Sequence, residues 1–238
     1  GETLKSTAQI DVNGGLLGLT GGVLPLAGRV DLATGTTLRF ETGNTDDPSG
    51  RIRLDNGAAV TLAVASDVQF ATSLTVDGVG GGAVTKSGAG KLTLTVANTA
   101  ITGGFTVAQG TMDVTHAQAL GAAAATVTGG LLTVNATIAN TVNVSNGGTL
   151  GGGGILGTAN VALGGTLAPG NSPGMLTVGS LALAGGSFYE WQVQNATNHS
   201  TGYDKLTVTG NLDLTGATSG SRITIRIASL LGAGDGNT

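Results

Sequence analysis

The feature that most constrains this chain is a loose repeat of about 20 residues that runs along most of its length. Each repeat holds two short runs of alternating apolar and polar residues with a glycine between them, as in residues 107–114 and 127–134. A repeat of this length is too short for a propeller blade of about 40 residues, but it fits one turn of a parallel β-solenoid. Each turn would bury its apolar face by stacking on its neighbours. The glycines that mark the repeats predict about ten turns: Gly15, Gly35, Gly57, Gly90, Gly110, Gly130, Gly148, Gly165, Gly186 and Gly210.

An antiparallel β-sandwich is the alternative fold, because it also consists of short strands joined by glycine-rich turns. A sandwich, however, has turn signals about every 8–12 residues and shows no self-similarity at the longer period. No stretch predicts a stable helix: residues 117–125 are rich in alanine, but Gly121 interrupts them. We therefore predict an all-β fold, a parallel β-solenoid.

The composition limits the chemistry and the partners. The chain has 238 residues with 44 glycines and 3 % aromatic residues, so its core must be narrow and aliphatic. It has no cysteine, which excludes disulfides and thiolate metal sites. The net charge is −4 and no cluster of lysine and arginine occurs, so nucleic acid is not a predicted partner. No apolar run reaches the roughly 20 residues of a membrane-spanning helix, so no integral membrane segment is predicted.

The pattern predicts one solenoid domain over residues 1–238, with three parts. Residues 1–82 are less regular, residues 83–184 hold the regular repeats, and residues 185–238 form the last turns and a cap. The long spacing between Gly57 and Gly90 predicts either one irregular turn or a protruding loop. Residues 164–178 contain two of the four prolines, which predicts a stiff corner within the solenoid.

Alignment of the first repeats predicts how their side chains stack. Residues 28–32 and 50–54 align at a separation of 22 residues, which places Asp31 beside Arg53 on the outer face. The same alignment places Asp11 beside Asp31, where the two carboxylates repel. An exposed pair of this kind contributes about 0–1 kcal/mol, so it adjusts the register more than it stabilises the fold.

A search for catalytic or metal-binding residues finds no specific signal. The two histidines, His116 and His199, lack partners at the spacing of a metal site. Some parallel β-helices cleave polysaccharides, and such cleavage needs a pair of carboxylates about 5–10 Å apart. The candidates are Asp11 with Asp31, and a loop at residues 41–50 that contains Glu41, Asp46 and Asp47. Both sets match a solvated face or loop better, so we predict no enzymatic activity and no cofactor.

Two groups of apolar residues are candidates for binding partners. Tyr189 and Trp191 share one face of a predicted strand, and together with Tyr203 they form either a cap on the core or a contact for a glycan or protein. An open solenoid also exposes unpaired strand edges at its ends. Residues 221–227 would form either a final capping strand, whose arginines guard the edge, or a strand that adds to the next subunit, and residues 2–12 could form the complementary edge. The residues predicted to mediate end-to-end assembly are Ile10, Val12, Ile223, Ile225 and Ile227.

Several motifs resemble those of a known family. Residues 86–95 read Lys-Ser-Gly-Ala-Gly-Lys-Leu-Thr-Leu-Thr, and residues 103–112 read Gly-Gly-Phe-Thr-Val-Ala-Gln-Gly-Thr-Met. Residues 167–178, with Leu-Ala-Pro-Gly-Asn-Ser-Pro-Gly, and residues 203–208, Tyr-Asp-Lys-Leu-Thr-Val, follow. This set is similar to the autotransporter-associated β-strand repeat of bacterial surface proteins. Phe105 and Met112 stand where that repeat more often has threonine and leucine, and the resemblance covers residues 83–215.

The resemblance implies a secreted, right-handed parallel β-helix at a bacterial cell surface. We therefore expect a non-catalytic structural or adhesive protein that associates with itself, with the cell surface or with the extracellular matrix. A fibre subunit that assembles head to tail is the more specific form of this hypothesis. A carbohydrate-binding or carbohydrate-active β-helix is the alternative.

Overall fold

A computed structural model describes residues 10–19, 29–43, 47, 49–198 and 202–230. These residues form strands joined by short turns, and the only helical element among them is a single 3₁₀ turn, Ser49–Arg51. The chain divides into two compact units, residues 1–126 and residues 127–238. The described residues contain no helix that could span a membrane.

The strands are short and follow one another at close intervals. The first unit contains β1 (Ile10–Val12), β2 (Gly15–Leu19), β3 (Val30–Leu32), β4 (Thr36–Phe40), β5 (Ile52–Leu54), β6 (Ala59–Val64), β7 (Val68–Phe70), β8 (Thr75–Val76), β9 (Ala83–Ser87), β10 (Lys91–Leu94), β11 (Phe105–Val107) and β12 (Thr111–Val114), and β13 (Ala125–Val127) includes the boundary. The second unit contains β14 (Gly130–Val134), β15 (Thr137–Val144), β16 (Gly148–Gly152), β17 (Ile155–Val161), β18 (Thr166–Pro169), β19 (Met175–Leu183), β20 (Phe188–Val193), β21 (Lys205–Val208), β22 (Leu212–Asp213) and β23 (Thr224–Ser229).

Each unit is a parallel β-solenoid, because strands from successive turns pair side by side and in the same direction. In the first unit the stacks are β1–β3–β5–β8, β7–β10–β12 and β2–β4–β6–β9–β11. In the second they are β14–β16–β18–β20–β23 and β15–β17–β19–β21, and β22 also pairs with β19. The prediction of a parallel solenoid is confirmed, and the antiparallel sandwich is excluded.

The described residues of the two units together form about eight turns, slightly fewer than the ten predicted. The reason is that the last turns take up more residues than the first ones. Lys91 pairs with Thr111, 20 residues further on, whereas Phe188 pairs with Thr224, 36 residues further on. The repeat marked by Gly210 therefore does not close as a turn of its own, since β22 is only two residues long.

The long spacing between Gly57 and Gly90 is filled by a turn and not by a protruding loop. Strands β7, β8 and β9 each pair with a strand of the preceding or following turn. The predicted division of the chain at residues 82 and 184 stays a prediction.

The core consists of the inward-facing residues of each strand, mainly valine, leucine and isoleucine. Strand after strand shows buried residues alternating with partly exposed ones, as in β6 and β12. Phe40 and Phe70 add an edge-to-face pair, with ring centroids 5.9 Å apart. Burial of one apolar rung beneath the next stabilises the stack in proportion to the area removed from water.

The predicted contact between Asp31 and Arg53 is present, but it is not an exposed pair. Asp31 lies opposite Arg53 in the register of β3 and β5, and opposite Asp11 in the register of β1 and β3. Its carboxylate accepts hydrogen bonds from Arg53 (2.8 and 3.0 Å) and from Arg29 (2.7 and 3.1 Å). These two guanidinium groups cover the carboxylate, so Asp31 is only 3 % exposed.

Candidate functional site

The predicted aromatic residues lie in the last turns of the second unit. β20 carries Tyr189 and Trp191, and both are partly buried. The ring of Trp191 lies against that of Tyr203, with centroids 5.7 Å apart and an angle of 57° between the planes. Tyr189 instead faces an apolar groove on the same unit. The structure therefore brings Trp191 and Tyr203 together and directs Tyr189 elsewhere.

Asp204 connects this aromatic pair to the proline-rich turn. Its carboxylate accepts hydrogen bonds from the backbone amides of Gly174 and Gln192, both at 2.9 Å. Its backbone carbonyl accepts a hydrogen bond from the indole Nε1 of Trp191 at 2.7 Å. Because the indole donor is used within the protein, only the ring surface of Trp191 remains for a ligand.

Asp204 is a buried carboxylate that is held by backbone donors. It is 3 % exposed. Burial raises the pKa of Asp204 above its ordinary value, although the two amide hydrogen bonds favour the charged form. The backbone amide of Lys205 also donates to the carbonyl of Gly174 at 2.7 Å. The side chain and the following amide thus attach the turn before β19 to the start of β21, which is a structural role.

An apolar groove of about 520 Å³ lies beside the last strands of the second unit. Eight aliphatic side chains and one tyrosine line it: Leu181, Leu183, Tyr189, Leu206, Val208, Leu212, Leu214, Ile223 and Ile225. Burial raises the pKa of the Tyr189 phenol, and the charge of Asp204 raises it further. The phenol therefore stays protonated at neutral pH, and the groove carries no charge of its own.

The predicted assembly residues of the C-terminal part lie at this groove and on β23. Ile223 and Ile225 line the groove, and Ile225 and Ile227 are 65 % and 69 % exposed. β23 pairs in parallel with β20, and it is the last strand of its stack among the described residues. One of its edges therefore offers backbone groups that no described strand pairs with.

The arginines that alternate with these isoleucines contact the protein itself. The guanidinium of Arg226 lies 3.5 Å from the centroid of the Phe188 ring, in a cation–π contact. Arg222 donates from Nε to the carbonyl of Ser219 at 3.3 Å.

Ile10 and Val12, the assembly residues predicted in the N-terminal part, lie in β1 and are partly buried. β1 is the first strand of its stack, and the amide of Ile10 donates to the carbonyl of Arg29 at 2.8 Å. Residues 2–9, the rest of that predicted segment, lie outside the described residues.

The candidate catalytic carboxylates are engaged in hydrogen bonds that hold the backbone or neighbouring side chains. Asp47 accepts bonds from the amides of Ser49 (3.0 Å) and Ala71 (2.8 Å), and Glu41 accepts one from Arg39 at 2.5 Å. Asp46 lies outside the described residues. In the part of the chain that the structure describes, no three histidine, aspartate or glutamate side chains cluster as a metal site would require.

The histidines show no such site either. The ring nitrogen Nδ1 of His116 accepts a hydrogen bond from the amide of Gln118 at 3.1 Å, which is a local turn contact. His199 lies outside the described residues.

Lys86 is the buried charge that the sequence prediction missed. It is fully buried, and its ammonium donates to the carbonyls of Gly88 (2.5 Å), Gly90 (2.5 Å) and Gln109 (2.7 Å). Two consecutive turns are thereby joined through one cation. The signal was present in the alternation of β9, because Lys86 has the same inward phase as the buried Val84.

Two comparisons with known proteins were negative. No family model matches the chain, and no curated protein is significantly similar to it in sequence.

Proposed function

We propose that this chain is a non-catalytic, secreted structural and adhesive β-solenoid of a bacterial surface, of the autotransporter-associated repeat type. The observation that carries the proposal is the use of its buried polar groups. The side chains of Asp31 and Lys86 make four and three hydrogen bonds within the protein, that of Asp204 makes two, and each joins separate turns or strands. A catalytic carboxylate or amine must instead reach a substrate.

The family motifs acquire a physical explanation in this proposal. Lys86 and the glycines at 88 and 90 form one corner in which the ammonium binds the glycine carbonyls. We also infer right-handed coiling, because parallel strands joined by a crossover are right-handed in almost all known cases.

The proposed non-catalytic role can be tested on a panel of neutral and acidic polysaccharides. We expect no release of reducing sugar by the purified protein beyond the level of a heat-unfolded sample. Release that is lost in an Asp31→Asn or Asp47→Asn variant with unchanged circular dichroism would favour the carbohydrate-active alternative.

In its more specific form, the proposed function includes association through the edge strand β23 and the apolar groove. The support is that β23 has both an unpaired backbone edge and exposed isoleucines, because a strand with these two features can pair with a strand of another chain. The occupant would be the first turn of another copy, which contains Ile10 and Val12.

Association should be measured by sedimentation velocity over a range of concentrations, with negative-stain electron microscopy of the same samples. We expect oligomers or filaments that the double variant Ile225→Lys, Ile227→Lys abolishes. Ile155→Lys is the matched control, because Ile155 is 46 % exposed in the middle of its stack. A strictly monomeric wild-type protein would refute assembly while leaving the solenoid's structural role intact.

The carbohydrate-binding alternative would use the half-buried rings of Trp191 and Tyr203. Lys205, whose ammonium lies 5.6 Å from the Tyr203 ring centroid, would be the adjacent cation. Binding to a glycan array that Tyr203→Ala removes, without a change in thermal stability, would favour this alternative.

A further inference from the structure

A rank of threonines runs along the outer face of the longest stack in the first unit. Thr37 pairs with Thr61, Thr61 with Thr85, and Thr85 with Thr106, all in register. The residues on either side of Thr61, Thr85 and Thr106 are buried, so these threonine side chains face outward. Because neighbouring strands lie about 4.7–4.9 Å apart, the hydroxyl groups recur at that interval along the stack.

These hydroxyl groups differ from those of other threonines in the same unit. Four threonines at the beginning or just past the end of a strand donate their hydroxyl hydrogen to a backbone carbonyl of the preceding turn of the solenoid, at 3.0–3.3 Å: Thr36, Thr75, Thr95 and Thr115. The face threonines Thr61, Thr85 and Thr106 make no such bond within the described part of the chain. The hydroxyl groups of these three threonines therefore remain available to donate and accept hydrogen bonds on the outer side of the sheet.

The residues around the rank are small and uncharged. Thr61 lies between the outward-facing Ala59 and Ala63, and these pair in register with Ala83 and Ser87, which flank Thr85. The lysine of β9, Lys86, points inward and is fully buried. Over the described residues of β6, β9 and β11, the outer face thus carries no charge and no aromatic ring.

The charge nearest to this face lies at its border: Arg39 of β4 faces the same side, pairs in register with Ala63 and donates a hydrogen bond to Glu41. The other charges lie on other sheets. Arg53 and Asp77 form an ion pair at 2.8 Å beside Asp31, and Lys91 and Asp113 belong to β10 and β12. The face formed by β6, β9 and β11 therefore has no basic group of its own for an acidic polymer or an anionic membrane, and the bordering Arg39 is paired with Glu41. Short side chains also leave no recess for a small molecule, and sugar rings lack an aromatic platform here.

The second unit repeats the pattern in its own sheet. Thr141 pairs with Thr158, and Thr158 pairs with Ser180. Beside them, Asn160 donates from Nδ2 to the Oδ1 of Asn143 at 2.9 Å. That neighbouring column continues through Ala182 to Asp213, so it ends in a charge, which the face of the first unit does not have within its own strands.

We propose that the face formed by β6, β9 and β11, with Thr61, Thr85 and Thr106 at its centre, binds crystalline ice. Ice is an uncharged, rigid and periodic array of donors and acceptors. A hydroxyl group can both donate and accept, so regularly spaced threonines can occupy positions of lattice water. Charged groups orient water strongly around themselves and would disturb the lattice, and this face has none in the described strands.

The rigidity of the face is the second requirement for this binding. Each hydroxyl group contributes little, so the contributions must add without a loss of conformational freedom. The backbone beneath the threonines is fixed by parallel pairing on both sides, since β6 pairs with β4 and β9, and β9 pairs with β6 and β11. The β-branched threonine side chain is itself restricted at χ1. The proposal does not depend on end-to-end assembly.

The test measures how much of the full-length protein, labelled with a fluorophore, enters a slowly growing ice hemisphere. We expect incorporation well above that of a non-binding protein of similar size, together with smaller ice grains after annealing. The double variant Thr61→Lys, Thr85→Lys should lose both effects. The matched control is Gln69→Lys, Thr93→Lys, because these two residues also pair in register on adjacent strands, β7 and β10.

Exclusion of the wild-type protein from ice to the same degree as the reference protein would overturn the proposal. Equal loss in both lysine variants would also overturn it, because the effect would then follow net charge and not the face. If the wild type forms a dimer that only Thr61→Lys, Thr85→Lys disrupts, and ice excludes it, the face packs against a second copy instead. Should the lysine variant fail to fold, the pair Thr61→Val, Thr85→Val removes only the hydroxyl groups and must still reduce incorporation.

Discussion

Lys86 shows how one residue can determine a corner of the solenoid. Its ammonium has three hydrogens and meets three carbonyl oxygens, those of Gly88, Gly90 and Gln109. Burial lowers the pKa of Lys86 to about 8, partly offset by the charge of Asp67. Near neutral pH the ammonium form, which the three acceptors require, therefore predominates.

We predict that Lys86→Met lowers the free energy of unfolding by about 2–4 kcal/mol, since three buried acceptors lose their donor. Urea unfolding followed by circular dichroism would measure this. Lys91→Met is the control, because Lys91 is exposed in β10 and its removal should change stability by less than about 0.5 kcal/mol. Equal effects of the two substitutions would contradict the structural role of Lys86.

Asp31 makes the stability of the first unit depend on pH. Its burial raises the pKa, but the hydrogen bonds and charges of Arg53 and Arg29 outweigh that effect, and the pKa of Asp31 lies below its ordinary value of 3.8. The unfolded chain therefore binds the proton more tightly than the folded one. The stabilisation is fully present above pH 3.8 and is lost as the pH falls through the lower, folded-state pKa.

We predict that Asp31→Asn costs about 1–3 kcal/mol near neutral pH, since hydrogen bonds to charged groups are lost. The loss of stability below pH 3.8 should be smaller in this variant than in the wild type. Thermal unfolding between acidic and neutral pH tests both points. Asp77→Asn serves for comparison, because the side chain of Asp77 is 58 % exposed and forms its ion pair with Arg53 at the surface.

At the scale of elements, glycine positions separate into two kinds. Gly110 and Gly57 both have positive φ, 67° and 72°. A Cβ atom at Gly110 would overlap the carbonyl oxygen of Gly88 and the ammonium of Lys86, whereas a Cβ at Gly57 would meet nothing within 4 Å. The first glycine is needed for space and conformation, and the second for conformation alone.

We predict that Gly57→Ala costs about 1–2 kcal/mol, the penalty of a left-handed conformation. Gly110→Ala should cost at least about 3 kcal/mol, because the corner must also move to relieve the overlap. Chemical unfolding of the two variants under one set of conditions gives the difference. A smaller cost at Gly110 than at Gly57 would show that the close stacking of this corner is not rigid.

At the scale of the whole molecule, each unit has its own stacked core. Leu54 in β5 and Leu150 in β16 are both fully buried, one in each unit. Contacts in a solenoid are mainly between neighbouring turns, so a loss of core packing in one turn should destabilise nearby turns more than distant ones.

We predict that Leu54→Ala, which costs about 2–5 kcal/mol, accelerates amide hydrogen exchange mainly within residues 29–126. Leu150→Ala should do so mainly within residues 127–230. Hydrogen-exchange mass spectrometry of both variants tests whether each substitution acts mainly within its own unit. Uniform acceleration along the chain in either variant would indicate a single cooperative unit instead.

The sequence predicted the architecture because the same physical need recurs in every turn. A glycine at each bend and alternating apolar residues in each strand define the period, and the period defines the stacking. The pairing of Asp31 with Arg53 followed from the same alignment. The burial of Asp31 did not follow from it, because that burial depends on Arg29, which immediately precedes β3 and binds the carboxylate from two residues away.

The candidate sites were less predictable than the fold. That Tyr189 and Trp191 share a strand followed from alternation, but the internal bond from Trp191 to Asp204 depends on residues 12 to 13 positions away. The turn number was too high because the final turns lengthen, and no local signal in residues 188–224 reports the length of a turn.

The bonds of Asp204 have a consequence for dividing the chain into parts. Its carboxylate receives the amide of Gly174 from one side and that of Gln192 from the other. The proline-rich turn, β20 and the segment at residues 203–208 are therefore held together as one structural module, although the two motifs are separated in the sequence by a polar segment. A shorter version of the protein that ends before residue 204 would leave the partly buried amides of Gly174 and Gln192 without this acceptor. A graft onto another solenoid must carry the proline-rich turn and the Tyr-Asp-Lys segment together.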